Sequence, residues 1–254
     1  MDIPLDIQIA GTAVNIHLIL EYAAFFLAFR YYLFLRKHAD DPIATGSRLS
    51  IILGAAIGAF VGSRLMGYLE NPVSLSFAPQ AIMTLMNVKT IMGGLFGGLV
   101  GVELIKKLIG ETHSSGDLFT MPIILGIIIG RIGCFLEGVN EFTYGVETSF
   151  FMGMDLGDGL SRHPIALYEI IFLVLLWVVV YKLYKQGNWE SGDIFKLFML
   201  LYFAFRFLIE FIKPNIFYTL GLSSIQWLCI VCFVYYYSFI LKGIQYAYTR
   251  LYVL

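Results

Sequence analysis

Apolar runs about twenty residues long recur along this chain, and "MPIILGIIIGRIGCFL" at 121–136 is the most constraining. A run of that length matches the ~20 residues a helix needs to cross the hydrocarbon of a bilayer. Lipid offers no hydrogen bonds to the backbone, so such a run folds as a helix, which satisfies its own N–H and C=O groups. Seven spans are predicted, at about 14–35, 49–69, 91–109, 118–136, 164–184, 194–212 and 222–243. The third is the least apolar, because it carries Glu103, Lys106 and Lys107. The chain is 59% hydrophobic and 14% charged, whereas soluble domains hold roughly 45–50% apolar and about 25% charged residues. No polar stretch is long enough for a separate soluble domain. The expected fold is therefore all-α: a polytopic seven-transmembrane-helix bundle, one integral membrane domain over residues 1–254, with a long loop at about 138–162.

Positive charge sets the orientation. Arg36, Lys37, Arg48, Lys106, Lys107, Lys182, Lys185, Lys242 and Arg250 fall on one side of a seven-span chain, which makes that side cytoplasmic and puts the amino terminus outside. The stretch "MDIPLDIQIAGTAVNIH" carries two aspartates and no Lys or Arg, so no cleavable signal peptide is expected. Cys134, Cys229 and Cys232 all lie in apolar runs, which argues against a disulfide framework. Glycines recur four residues apart at Gly54, Gly58 and Gly62, at Gly93, Gly97 and Gly101, and at Gly126 and Gly130. Such faces let helices approach closely. The absence of an inverted repeat argues against common transporter architectures.

The charges inside the spans point to function. Spans two, four and six each carry one arginine shortly before the outer end: Arg64, Arg131 and Arg206. Five or six residues at ~1.5 Å each put all three roughly 8–9 Å below the outer boundary. Glu21 and Tyr22 enter span one from the same side, His163, Tyr168 and Glu169 open span five, and Glu210 follows Arg206 by one turn. A central arginine costs about 2.5–3.5 kcal/mol on insertion scales, more than helix packing alone justifies. The reading is a cationic pocket open to the outer leaflet, partly neutralised by Glu21, Glu137, Glu169 and Glu210. Arginine suits phosphate because its planar fork presents paired donors and stays charged when desolvated. At that depth the available phosphate is a phospholipid headgroup. The loop after Arg131, rich in Gly, Asp and aromatics, is expected to cover the pocket mouth.

The blocks "GRIGCFLEG", "RHPIALYE" and "FRFLIEFIKP", with "GSRLMGY", "MGGLFGGLVG" and more loosely "EYAAFFLAF", resemble the prolipoprotein diacylglyceryl transferase family in order and spacing. The resemblance implies an inner-membrane, seven-helix enzyme of bacteria. Its activity would be transfer of the diacylglyceryl group of phosphatidylglycerol to the lipobox cysteine of a secreted precursor, leaving glycerol phosphate. It makes Arg131 and Arg206 the family's two arginines, Tyr22 its first-span tyrosine and Gly145 its post-signature glycine. Glu169, Glu210 and Lys213 become its accompanying charged positions. Two positions depart from the family pattern. Met92 stands where the family has a histidine, a proposed base, and Cys134 stands where it has an asparagine.

The catalytic candidates are accordingly Arg131, Arg206, Tyr22, His163 and Glu169. The phospholipid-binding set is Arg64, Arg131, Arg206, Glu210, Lys213, Gly145, Cys134 and Glu137. With a methionine at 92, His163 is the candidate base, and Glu137 or Glu169 can serve if burial raises its pKa. Cys134 reads either as a nucleophile or as a spectator thiol. The expected partners are a phospholipid and a secreted precursor protein, with no metal, cofactor or nucleic acid. The rival reading is a paralogue that binds phospholipid without turnover, or that uses another lipid or acceptor.

Overall fold

The structure, a computed structural model, describes residues 3–5, 7–9, 12–70, 88–187 and 189–252. Most of the predicted connection between the second and third spans, 71–87, lies outside the described residues. The described chain is mainly helical, with two short antiparallel ribbons, Ile7–Ile9 with Thr12–Val14 (β1, β2) and Met154–Asp155 with Ser161–Arg162 (β3, β4). Its α-helices are α1 (Ile16–Lys37), α2 (Thr45–Glu70), α3 (Ile91–Ile109), α4 (Asp117–Glu137), α5 (Ile165–Gln186), α6 (Asp193–Ile209), α7 (Ser224–Tyr235) and α8 (Tyr237–Tyr252).

Four of these, α1, α2, α4 with the turn to Asn140, and α5, are long and apolar enough to cross a bilayer, and α7 with the first part of α8 makes a fifth across a bend of 63°. The predicted seventh span is therefore not straight. Two predicted spans fall short by this measure. Helix α3 carries three charges, Glu103, Lys106 and Lys107, and α6 has only 17 residues before a 3-10 turn at Glu210–Ile212. Phe25 and Phe26 on α1 are 70% and 64% exposed, a surface that lipid solvates at no hydrophobic cost. The chain is a multi-pass membrane protein.

Residues cluster into two compact units. Met1–Ile43, His113–Phe195 and Leu208–Asn215 form one, and Ala44–Thr112, Lys196–Phe207 and Ile216–Leu254 form the other. In the first, α4 packs along α1 on one side and α5 on another. The Asn15 side chain caps α1 by accepting the Leu18 N–H at 2.8 Å, and Arg36 and Lys37 close its last turn, where the helix dipole favours cations. The Asp117 carboxylate opens α4 and accepts the N–H groups of Gly192 and Phe195 at 2.6 and 2.9 Å. It thus fills donors that the start of α6 would otherwise leave open.

In the second unit the glycine faces do what their spacing predicts, because α2 and α3 pack backbone against backbone. A Cβ on Gly58 would strike the Gly97 carbonyl, and one on Gly62 would strike that of Gly93. Thr90 caps α3 by accepting the Gly93 N–H at 3.0 Å. A reciprocal Ser223–Gln226 capping box starts α7, and the Gln226 amide also donates to the Phe207 carbonyl at 3.1 Å. Gly97→Leu should therefore push α2 and α3 apart. Overpacking of this kind costs about 1–3 kcal/mol or more, and it is measured as a lower thermal midpoint in detergent. Gly46→Ala, where a Cβ meets nothing within 4 Å, should leave the midpoint unchanged.

Candidate active site

Arg131 sits on α4 two turns before its end and is buried. Its Nε lies 2.9 Å from Oε1 of Glu169, which is fully buried near the start of α5. A buried guanidinium loses several kcal/mol of hydration and persists only when a close opposite charge and hydrogen bonds replace it. Glu169 supplies that charge and joins α4 to α5. Cys134, one turn beyond Arg131, brings its Sγ to 3.8 Å from Arg131 Nη1.

A second line of contacts starts from the same sulfur. Cys134 Sγ lies 3.5 Å from Nε2 of His17, and Nδ1 of His17 lies 3.2 Å from Oε1 of Glu141. His17 is in the first turn of α1 and Glu141 follows the 3-10 turn Gly138–Asn140. Gly133 lets the imidazole come so near, since a Cβ there would press on His17 Cα and Cδ2 at 3.2 Å. Gly138, at φ +58°, turns the chain out of α4, and a Cβ on it would collide with the Leu156 carbonyl. A small pocket beside Cys134, lined by Phe135, Gly138, Tyr144, Leu156 and Ala166 among others, has room for about one water-sized group.

The other candidates of this unit lie around the loop. Gly145 is buried, donates its N–H to the His163 carbonyl at 2.8 Å, and would clash with His163 and the Ile212 carbonyl if it carried a Cβ. Its glycine identity thus follows from close approach. Val146 N–H donates to Ile212 O at 2.9 Å, and His163 N–H to Val146 O at 3.2 Å. The His163 ring is half-buried, with Nδ1 3.1 Å from the Tyr168 hydroxyl. Buried Lys213 lies 3.8 Å from Glu210 Oε1 and covers the Phe142 ring at 5.2 Å. The Asn215 amide donates to both the carboxylate and the carbonyl of Glu210. Glu137, the last residue of α4, is half-buried.

Tyr22 is 69% exposed on α1, so its ring lies on an apolar outer face. In the second unit Arg64 donates from Nη1 to the Val88 carbonyl at 2.8 Å and rests 5.3 Å from the Phe60 ring centre. Arg206 is buried on α6, and Met92, at the start of α3, is 1% exposed.

A family profile described as prolipoprotein diacylglyceryl transferase matches residues 4–242. The chain belongs to the prolipoprotein diacylglyceryl transferase family. It is 32% identical over 203 residues to the phosphatidylglycerol–prolipoprotein diacylglyceryl transferase of Nitratidesulfovibrio vulgaris (strain DP4), an overlap covering 74% of this chain and 69% of that protein. A protein of the same name from Bordetella bronchiseptica is 32% identical over 201 residues, covering 72% and 70%. Another from Idiomarina loihiensis is 28% identical over 239 residues, covering 89% and 84%.

Within this transferase-family chain, the structure brings together two residues that the sequence reading passed over, His17 and Glu141. One local signal was present: His17 and Glu21 are four residues apart on α1, hence on one face. The loop holding Glu141 is itself clamped further on, where Asp155 accepts the N–H groups of Gly157 and Gly159 at 2.8 and 3.0 Å.

Two outcomes follow. Glu169→Ala leaves Arg131 without its close carboxylate and should cost about 3–5 kcal/mol, read as a lowered unfolding midpoint in detergent. The backbone donors of Gly157 and Gly159 hold the Asp155 carboxyl below its ordinary range. Its contribution to loop order is therefore full above about pH 4 and lost as pH falls through the lowered native value. Cleavage of the loop by an acid protease should rise over that interval, and Asp155→Asn should cleave readily throughout.

Proposed function

We propose that this protein moves the diacylglyceryl group of phosphatidylglycerol onto the thiol of a secreted precursor's lipobox cysteine, at the outer face of a bacterial inner membrane. In this reading the chain crosses seven times, with its amino terminus outside and its carboxyl terminus cytoplasmic. The carrying observation is Arg131, a buried guanidinium fixed at Nε by Glu169. A guanidinium so paired keeps its charge out of water, and its planar fork is the geometry that suits a lipid phosphate. The names of the relatives, phosphatidylglycerol–prolipoprotein diacylglyceryl transferase, support that choice of lipid and acceptor.

In the reaction the acceptor sulfur forms a bond to the glycerol carbon next to the phosphate. The carbon–oxygen bond on the phosphate side breaks, and its electron pair leaves with glycerol phosphate. The thiol proton passes to a base. Fixed positive charge acts most where negative charge grows, here on the departing phosphate. Arg131 supplies such charge, the family resemblance gives Arg206 the same part, and Arg64 joins them on the ground of the depth at which its span carries it. Glu210, Lys213 and Gly145 hold the polypeptide around the headgroup, with Glu137 at its edge, and Tyr22 meets lipid from the exposed face of α1. Buried Met92 favours a second reading, a phospholipid-binding relative without turnover, because a thioether takes no proton.

Purified protein given phosphatidylglycerol and a lipobox peptide should release glycerol phosphate and yield a diacylglyceryl peptide by mass spectrometry. Arg131→Ala and Arg206→Ala should each lower the rate by about 10²-fold or more, and Lys242→Ala should not. Lipid that binds without any transfer to thiols would establish the second reading.

A further inference from the structure

We propose that Cys134 and His17, with Glu141 behind them, are the proton-accepting pair of this enzyme and replace the ionisable side chain that position 92 lacks. The inference rests on the transferase reading above and names the base which that reading leaves open. Three side chains stand in line: Glu141 Oε1 at 3.2 Å from His17 Nδ1, and His17 Nε2 at 3.5 Å from Cys134 Sγ. That order, carboxylate then imidazole then sulfur, fixes the imidazole orientation and leaves Nε2 to exchange a proton with a thiol. The Arg131 guanidinium, 3.8 Å from the same sulfur, ties the relay to the phosphate end of the reaction. Cys134 lines the small pocket and His17 does not, so a thiol entering there would meet the sulfur first and His17 through it. His38 and His163 are instead turned to the Phe34 carbonyl and the Tyr168 hydroxyl.

The step balances without a further reactant. The acceptor S–H gives its proton to the Cys134 thiolate, which His17 in its protonated form stabilises. The acceptor sulfur bonds to the glycerol carbon, and the leaving phosphate takes the carbon–oxygen electron pair. The same proton then passes to the released phosphate, restoring the pair. Attack by Cys134 itself is a dead end. It would leave a diacylglyceryl thioether on the protein, and a thioether sulfur is too poor a leaving group to pass the glycerol carbon to a second thiol.

The test uses the whole protein with phosphatidylglycerol and a lipobox peptide. His17→Gln should lower kcat about 10²–10⁴-fold, with KM for the lipid held within about twofold. The rise of kcat with pH on the acid side should be lost, and added imidazole should restore part of the rate to His17→Gly, which a purely structural role does not predict. Among the described residues, Cys134 of α4 and Glu141 of the loop face His17, Arg131 reaches the same sulfur, Glu21 lies one turn along α1 and Glu169 lies beyond Arg131. If His17→Gln does not fold, Glu141→Gln serves, with an expected loss of about tenfold and a displaced acid limb. An active parent enzyme whose folded His17→Gln form keeps full kcat, or a diacylglyceryl adduct on Cys134 during turnover, overturns this inference alone. A parent protein that binds phosphatidylglycerol but releases no glycerol phosphate to any thiol overturns the transferase reading and this inference together.

Discussion

One buried ion pair, Arg131 with Glu169 at 2.9 Å, joins two helices inside the first unit. Neither charge belongs in a hydrocarbon-rich interior by itself, and each makes the other tolerable. The pairing fixes the end of α4 against the start of α5, and Pro164 just before α5 sets where that helix begins. The close carboxylate restrains the guanidinium, and under the proposed function a restrained charge needs little rearrangement to meet an anion. Such preorganisation makes fixed charge effective in catalysis. The same pair explains why an arginine follows so apolar a run as "MPIILGIIIG".

Around that pair the backbone is shaped by close approaches. Gly133 admits His17, Gly145 admits the His163 and Ile212 carbonyls, and Gly138 supplies a left-handed turn beneath Leu156. Each works because a Cβ would occupy the space that another group needs. In the second unit the same economy of volume joins α2 to α3 through Gly58, Gly62, Gly93 and Gly97. Glycine thus packs helices in one unit and seats functional groups in the other. The outer faces, by contrast, carry large exposed apolar side chains such as Phe25, Phe26, Phe151 and Leu208.

Much of this was legible in the chain itself. The bounds expected at about 118–136 and 164–184 lie within two residues of the apolar helices Asp117–Glu137 and Ile165–Gln186, and those at 91–109 are the bounds of helix Ile91–Ile109, though not as a span, because apolar length and a following glycine or loop mark helix ends well. The family resemblance, carried by Arg131, Glu169, Arg206 and their neighbours, is matched by the profile over 4–242. The bend after Tyr235 was not legible, since no proline or glycine marks it in "VYYYSFI". Nor was His17 as part of the site. Its sulfur partner is 117 residues away in the chain, and periodicity registers only neighbours within a turn or two. Cys134 read as a departure from the family pattern, and the fold sets it beside an arginine and an imidazole.

The central claim is that the buried guanidinium of Arg131 reads a lipid through its phosphate. Native mass spectrometry of the purified protein, offered equal amounts of phosphatidylglycerol and diacylglycerol with the same acyl chains, tests this most directly. The account predicts retention of phosphatidylglycerol alone, and loss of that preference in Arg131→Ala. Equal retention of both lipids by the unaltered protein would contradict it.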